Sequence, residues 1–329
     1  MKLTFASTHT LLAVCVSSVA LILSSAFCVA DTPPPDIEAP MPANEETLKT
    51  DFQPPDGNIL HRYRFVPPNA LPGQRLPTVL MFPPDVFYLE YGDHGVPSER
   101  VATRDLQQAG FLVFQVDHRL APPNKLPGQT STGRAPQQTD DAERQILAAL
   151  DDPQCNGSIY LVGGSAGGCL VLWCGLDSAN SAVTGWNDTV RAKIKAVVSL
   201  SGVTDPSNWN HPGIPDPDYE DFKLRVDKYV GLTYPAYNYA TLYAASPVSL
   251  ITNGATSSPP VKLFASQYDT VSYVQEDEMY TALQGIGVSV TKTFFSGSSN
   301  HAYKNWHVIN PDTGNYVSSD VIAFFQSHP

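Results

Sequence analysis

Residues 159–168 read Ile159-Tyr160-Leu161-Val162-Gly163-Gly164-Ser165-Ala166-Gly167-Gly168. Four apolar or aromatic residues, two of them β-branched, suit a buried strand. The run then turns through G-x-S-x-G into a stretch, 166–176, with the composition of a helix. A strand, a tight glycine turn and a helix lift a serine hydroxyl above the end of a sheet. It then stands beside a helix N-terminus, whose dipole favours developing negative charge. Gly163, Gly164 and Gly167 are needed because strand and helix pass close to the turn. A phosphate-binding turn is the other use of a glycine-rich strand–helix junction. G-x-G-x-x-G cannot be drawn through these residues, however, and no lysine follows Gly168 as a P-loop requires. Ser165 is therefore the candidate nucleophile.

A serine hydroxyl needs a base, and the base needs a carboxylate to hold its tautomer. Working outward from the elbow, apolar strands are expected at 59–66, 77–82, 111–116, 158–162, 196–200, 261–265 and 289–295. Helices are expected at 98–109, 137–150, 166–176, 274–285 and 317–326. Strands alternating with amphipathic helices imply an α/β fold, a mostly parallel sheet with helices on both faces. Around such an elbow the chain order is serine, acid, histidine. Asp269 follows the strand 261–265, and His301 follows the strand 289–295. Both thus emerge at the carboxyl edge that carries Ser165, where ligands gather in open α/β sheets. His307 is the rival base and Asp205 the rival acid.

These segments resemble, in order, the motifs of the hormone-sensitive-lipase-like (bacterial type IV) esterases of the α/β-hydrolase fold. The resemblance runs from about residue 76 to the C-terminus. Asp117-His118-Arg119-Leu120-Ala121-Pro122 is similar to the family's D-Y-R-L-A-P, and residues 163–168 to its G-D-S-A-G-G. Ser246-Pro247, Pro259-Pro260 and Tyr268-Asp269 resemble its approach to the catalytic acid, and Asn300-His301-Ala302-Tyr303 its H-G-F. The resemblance implies a cap built partly from N-terminal residues, and hydrolysis of small acyl or aryl esters. One motif departs. Where the family has H-G-G-G, this chain has Pro83-Pro84-Asp85-Val86. Carried over, the oxyanion donors would be the backbone N–H groups of Asp85, Val86 and Ala166. Pro84 falls on the glycine that is not a donor, so its missing N–H is tolerable. The Asp85 carboxylate has to face away, because it would oppose an oxyanion.

Residues 203–245 interrupt the strand–helix rhythm with Trp209, Tyr219, Phe222, Tyr229, Tyr234, Tyr237, Tyr239 and Tyr243. A long insertion in a compact domain is usually functional. It reads as a cap with aromatic rings facing a substrate cleft, the alternative being rings that only pack the insertion onto the sheet.

At the other end, Lys2, the apolar stretch 11–23 and Cys28-Val29-Ala30 read as an export signal, residues 1–30, cleaved after Ala30. A lipid anchor on Cys28 and an uncleaved anchor helix are the rivals. Residues 31–57, rich in proline and polar side chains, read as a tether, and 58–329 as one hydrolase domain with its cap. The product is expected to be periplasmic or secreted, with no stable membrane insertion once the signal is removed.

The formal charge of −12, or −13 without Lys2, argues against nucleic acid as a partner, since a polyanion calls for a positive field. Cys15 and Cys28 leave with the signal. Cys155, Cys169 and Cys174 remain as expected buried apolar residues, the last two badly spaced on a helix for a bridge. The eight histidines show no metal-binding spacing, and neither metal nor cofactor is expected. The leading function is ester hydrolysis of a small-molecule substrate through Ser165, His301 and Asp269. A peptidase or amidase using the same triad, and a non-catalytic binding protein on a hydrolase scaffold, stay open.

Overall fold

The computed structural model describes residues 44–47, 53–88, 97–126, 128–176, 181–208, 210–212, 214, 216–232 and 238–329. The expected signal and its cleavage site lie outside them. Within the unit Asp36–Pro329, eight strands form one sheet in the order β1-β2-β4-β3-β5-β6-β7-β8. The short edge strand β1 (Asn44–Thr47) runs antiparallel to β2 (His61–Phe65), and β2 antiparallel to β4 (Leu112–Val116). The rest is parallel: β3 (Leu76–Phe82), β4, β5 (Cys155–Gly164), β6 (Ile194–Leu200), β7 (Val261–Ser266) and β8 (Val290–Phe295).

The alternation of side chains decides which helices cover which face. On β3 and β5, Leu80, Phe82, Ile159 and Leu161 point to one core. There they meet Ala142 and Ile146 of α2 (Gln137–Leu150), Leu170 and Leu172 of α3 (Ala166–Gly175), and Met279 and Leu283 of α8 (Tyr273–Gly285). The residues between them, Val79, Met81, Tyr160 and Val162, point to the other. That core is closed by Val101 and Leu106 of α1 (Pro97–Gln108) and by Val317, Val321 and Phe325 of α9 (Val317–Gln326). A strand buried on both faces is apolar at nearly every position, which is why residues 159–162 of β5 read as an unbroken hydrophobic run and β4 is broken only by Gln115.

Two expectations need correction. Part of the stretch read as a tether is built into the fold: residues 44–47 pair with β2, and Asp56 binds Arg119 and Ser131. The insertion 203–245, over which no helix was expected, is partly helical. It carries α5 (Asp216–Val230) and α6 (Tyr239–Ala244), after the one-turn α4 (Asp188–Arg191) and before α7 (Pro247–Thr252). Phe222, Val226, Tyr229 and Leu242 pack there against Phe87, Ala166, Cys169 and Val203. Phe222 and Tyr229 therefore bind the insertion to the sheet edge, while Tyr239 is exposed. Trp209, Tyr234 and Tyr237 lie outside the described residues, as does the side chain of Tyr219.

Candidate active site

β5 ends at Gly164 and α3 starts at Ala166, so Ser165 alone makes the turn, with φ 53° and ψ −116°. A left-handed φ costs a non-glycine residue roughly 1–2 kcal/mol, so the surroundings must hold it. They do. The Ser165 N–H donates to Leu200 O at 3.0 Å, and its carbonyl accepts from Cys169 and Val203 N–H. Steric contact explains the glycines. A Cβ on Gly163 would lie 2.1 Å from Gly167 O, and one on Gly167 would lie 2.5 Å from Phe82 O. The Ser165 side chain is buried, and its hydroxyl makes no hydrogen bond among the described residues. Nucleophile–base bonds are often loose before substrate binds.

Asp269 and His301 meet. His301 Nδ1 lies 2.6 Å from Asp269 Oδ1, which also accepts from Thr270 Oγ1 and the Val271 N–H. The carboxylate is fully buried and the ring partly exposed, and an Nδ1–H donated to the carboxylate leaves Nε2 as the basic nitrogen. The loop after His301 is fastened to the elbow. A Cβ on Gly164 would stand 2.7 Å from Ala302 Cβ, and the Tyr303 hydroxyl donates to Phe82 O and Val162 O, both at 3.2 Å. The rival residues are engaged elsewhere. His307 Nε2 lies 2.7 Å from Asp105, and Asp205 Oδ1 accepts from the Ser207 N–H and hydroxyl.

This packing explains why Gly164 stands where the esterase pattern has aspartate. Gly164→Asp is expected to push the Ala302–Tyr303 loop away, costing about 1–3 kcal/mol of stability as an overpacked core position does. Its measure is a melting point several degrees lower, with kcat falling alongside. An unchanged melting point would show that the loop yields freely.

Pro83-Pro84-Asp85-Val86 crosses the start of α3, where Pro83 O accepts the Gly167 N–H at 3.0 Å. The Asp85 carboxylate is buried and engaged: Oδ1 accepts the Phe87 N–H at 3.0 Å, and Oδ2 lies 3.0 Å from His118 Nε2. Among the described residues, the N–H groups of Asp85, Val86 and Ala166 donate to no acceptor. Asp117 and Arg119, on either side of His118, are spent on architecture. Asp117 accepts the His61 N–H, and Arg119 grips Asp141 of α2 with two hydrogen bonds of 2.8 Å.

Sequence reasoning missed the buried carboxyl of Glu276 on α8, which accepts from the Gly202 N–H at 2.8 Å and the Ser199 hydroxyl at 3.2 Å. Nothing in its local sequence marks it. Burial pushes its pKa up to about 8 and the nearby Asp269 charge adds to this, against the two hydrogen bonds and Lys292. A carboxyl raised in the folded state contributes stability that is present below its unfolded pKa and lost as pH climbs through about 8. Glu276→Gln keeps a neutral acceptor there. Its melting-point advantage over the wild type should therefore be absent near pH 4 and grow up to pH 8. A constant difference across that range would count against a neutral Glu276.

Among the described residues no helix is long and apolar enough to cross a membrane. The three cysteines that fall among them, Cys155, Cys169 and Cys174, are buried and unbridged.

The fold recurs in solved structures. Esterase B from Lactobacillus rhamnosis is 20% identical over 87% of this chain and 85% of its own, with a TM-score of 0.61. An acetyl ester-xyloside bifunctional hydrolase from Caldicellulosiruptor lactoaceticus is 19% identical over 82% and 88%, at 0.57. Thermogutta terrifontis esterase 2, phosphorylated by paraoxon, is 17% identical over 86% and 91%, at 0.55. At such identities the likeness establishes the α/β-hydrolase fold. No curated protein matches the chain. The model of one family, BD-FAE, matches residues 92–283, more than half of the 329. That span takes in the elbow, its glycines and Asp269, and by it the chain belongs to the BD-FAE family.

Proposed function

We propose that this protein is an exported carboxylic ester hydrolase that works through an acyl-enzyme on Ser165. The observation that carries the reading is the 2.6 Å bond between His301 Nδ1 and buried Asp269, on the sheet edge where Ser165 is held in a strained turn. His301 Nε2 takes the Ser165 proton as Oγ attacks the ester carbonyl, and Asp269 stabilises the resulting imidazolium. The N–H groups of Asp85, Val86 and Ala166 receive the oxyanion, which supplies much of the rate. Collapse of the tetrahedral intermediate expels the alcohol, protonated by His301. Water, deprotonated by the same ring, then releases the acid and restores the serine. All the chemistry belongs to side chains and backbone, and no cofactor enters it. The fold neighbours support the ester class, since each is described as an esterase or ester hydrolase. For export, the support is the charged and then apolar N-terminus ending at Ala30.

The test is a panel of p-nitrophenyl esters of rising acyl length, run beside the matching anilides, with paraoxon as a covalent probe. Ester turnover abolished by one phosphoryl adduct on Ser165 is the expected result. Faster anilide cleavage would make the protein an amidase, and neither turnover nor an adduct would make it a binding protein. Mass analysis of the exported protein should find Asp31 at its N-terminus, whereas retention of residues 1–30 would refute cleavage.

A further inference from the structure

Two departures from the esterase pattern turn out to be one. Asp85 stands where the pattern has a glycine and His118 where it has a tyrosine, and these two side chains face each other in the interior. His118 is fully buried, with Nδ1 3.0 Å from Arg119 O, a carbonyl that can only accept. Nε2 faces Asp85 Oδ2 at 3.0 Å, off the line of an ideal hydrogen bond, so the contact is chiefly an attraction between charges. Nδ1 therefore needs a proton to donate, and a second proton on Nε2, which makes the ring an imidazolium, is what attracts the Asp85 carboxylate.

The loop so held is strained. Val86 has φ 48° and Phe87 φ 67°. Two successive left-handed residues, one of them β-branched, occur only when their surroundings impose them. Here the Asp85 carboxylate binds the Phe87 N–H, and the Asp85 carbonyl binds the Tyr88 N–H at 3.1 Å. Phe87 O accepts from the Ala121 N–H and from Gln138, and the Phe87 ring stacks on Tyr229 at 3.9 Å. Asp85 lies at the centre of these restraints, and His118 is what fastens it.

We propose that His118 is a positioning residue for the oxyanion loop: paired with the Asp85 carboxylate, it keeps the N–H groups of Asp85 and Val86 aimed at the acyl oxygen. This rests on the esterase reading. The titratable and charged groups around the ring are Asp85 from the loop, Asp117 and Arg119 on either side of it in the chain, and Asp141 from α2. Burial by itself would drive the His118 pKa down, but Asp85, the Arg119 carbonyl and Asp141 together lift it to about 9. The pair therefore exists below that pH and is lost as pH rises through it, when a carboxylate is left facing a lone pair.

The test compares kcat and KM for p-nitrophenyl butyrate from pH 6 to 10.5 in the wild type, His118→Gln, Asp85→Asn and the double variant Asp85→Gly/His118→Tyr. Melting and paraoxon labelling of Ser165 are followed on each. Wild-type kcat should fall above pH 9 while KM holds. His118→Gln should lower kcat at pH 8 on the order of 10²-fold, the cost of a misplaced oxyanion donor. Its KM should change little, and the alkaline limb should vanish. The double variant, which puts the pattern's own residues at both positions, should recover much of the kcat without the limb. It decides the matter if the single variants do not fold. Wild-type kcat and an intact limb in His118→Gln, or a double variant that keeps the limb, would overturn the inference alone. A wild type that neither turns over nor takes paraoxon would overturn the esterase reading and this inference with it.

Discussion

Ser165→Ala is expected to lower ester turnover on the order of 10⁴-fold or more, leaving only the residual rate that binding and the oxyanion donors give. The loss should fall on the chemistry alone. The hydroxyl makes no hydrogen bond among the described residues, so removing it leaves no buried partner unsatisfied. Alanine bears the same left-handed strain as serine at φ 53°, and the backbone bonds to Leu200, Cys169 and Val203 that hold the turn do not involve the side chain. Melting within a few degrees of the wild type, loss of the paraoxon adduct and collapse of kcat form the expected set. A variant that keeps most of its activity would place the nucleophile elsewhere.

Asp269→Asn comes next in size, with kcat expected to fall by about 10³–10⁴-fold. An amide at this position can present its NH₂ to His301, which reverses the tautomer and puts the proton on the nitrogen that must accept one. Asp205→Asn separates this from the loss of any buried carboxylate nearby. Asp205 also follows a strand of the same edge, but its side chain closes a local turn onto Ser207 while its N–H donates to Gln275. It should lose about 1 kcal/mol of stability and less than roughly tenfold in kcat, the cost of a weakened hydrogen bond. Steady-state rates for the two variants decide. The reverse ranking would move the acid to the loop after β6.

The elbow was legible in the sequence because its constraints are local. A tight turn between a buried strand and a helix admits little but glycine around the serine, and that requirement is visible in six consecutive residues. The parallel sheet was legible for a similar reason. Strands buried on both faces are apolar at nearly every position, and β4 and residues 159–162 of β5 show this without reference to any partner. Asp269 and His301 followed from topology, since successive parallel strands deliver their loops to one edge. Their 2.6 Å contact, however, joins residues far apart in the chain, and only the folded backbone brings them together.

Other features had no local signature. β1 was read as tether because NEET carries no strand pattern. Pairing to β2, rather than propensity, makes it a strand. Phe222 and Tyr229 could have lined a cleft or packed a core, because an aromatic ring suits both, and tertiary contact with Phe87 and Cys169 decided for packing. The sequence explains Gly164 only by the tightness of the turn, whereas in the fold Ala302 occupies the space a side chain there would need. Asp85 looked like an obstacle to catalysis, and its meaning depends on His118, thirty-three positions away by the numbering. Sequence by itself determined the strand–helix order, the elbow and the edge that carries Ser165, Asp269 and His301, because those depend on backbone conformation and the burial of neighbouring residues. Pairings between distant charges, and the space left for a side chain, were decided only by the tertiary structure. Both depend on what the rest of the chain brings within a few ångströms.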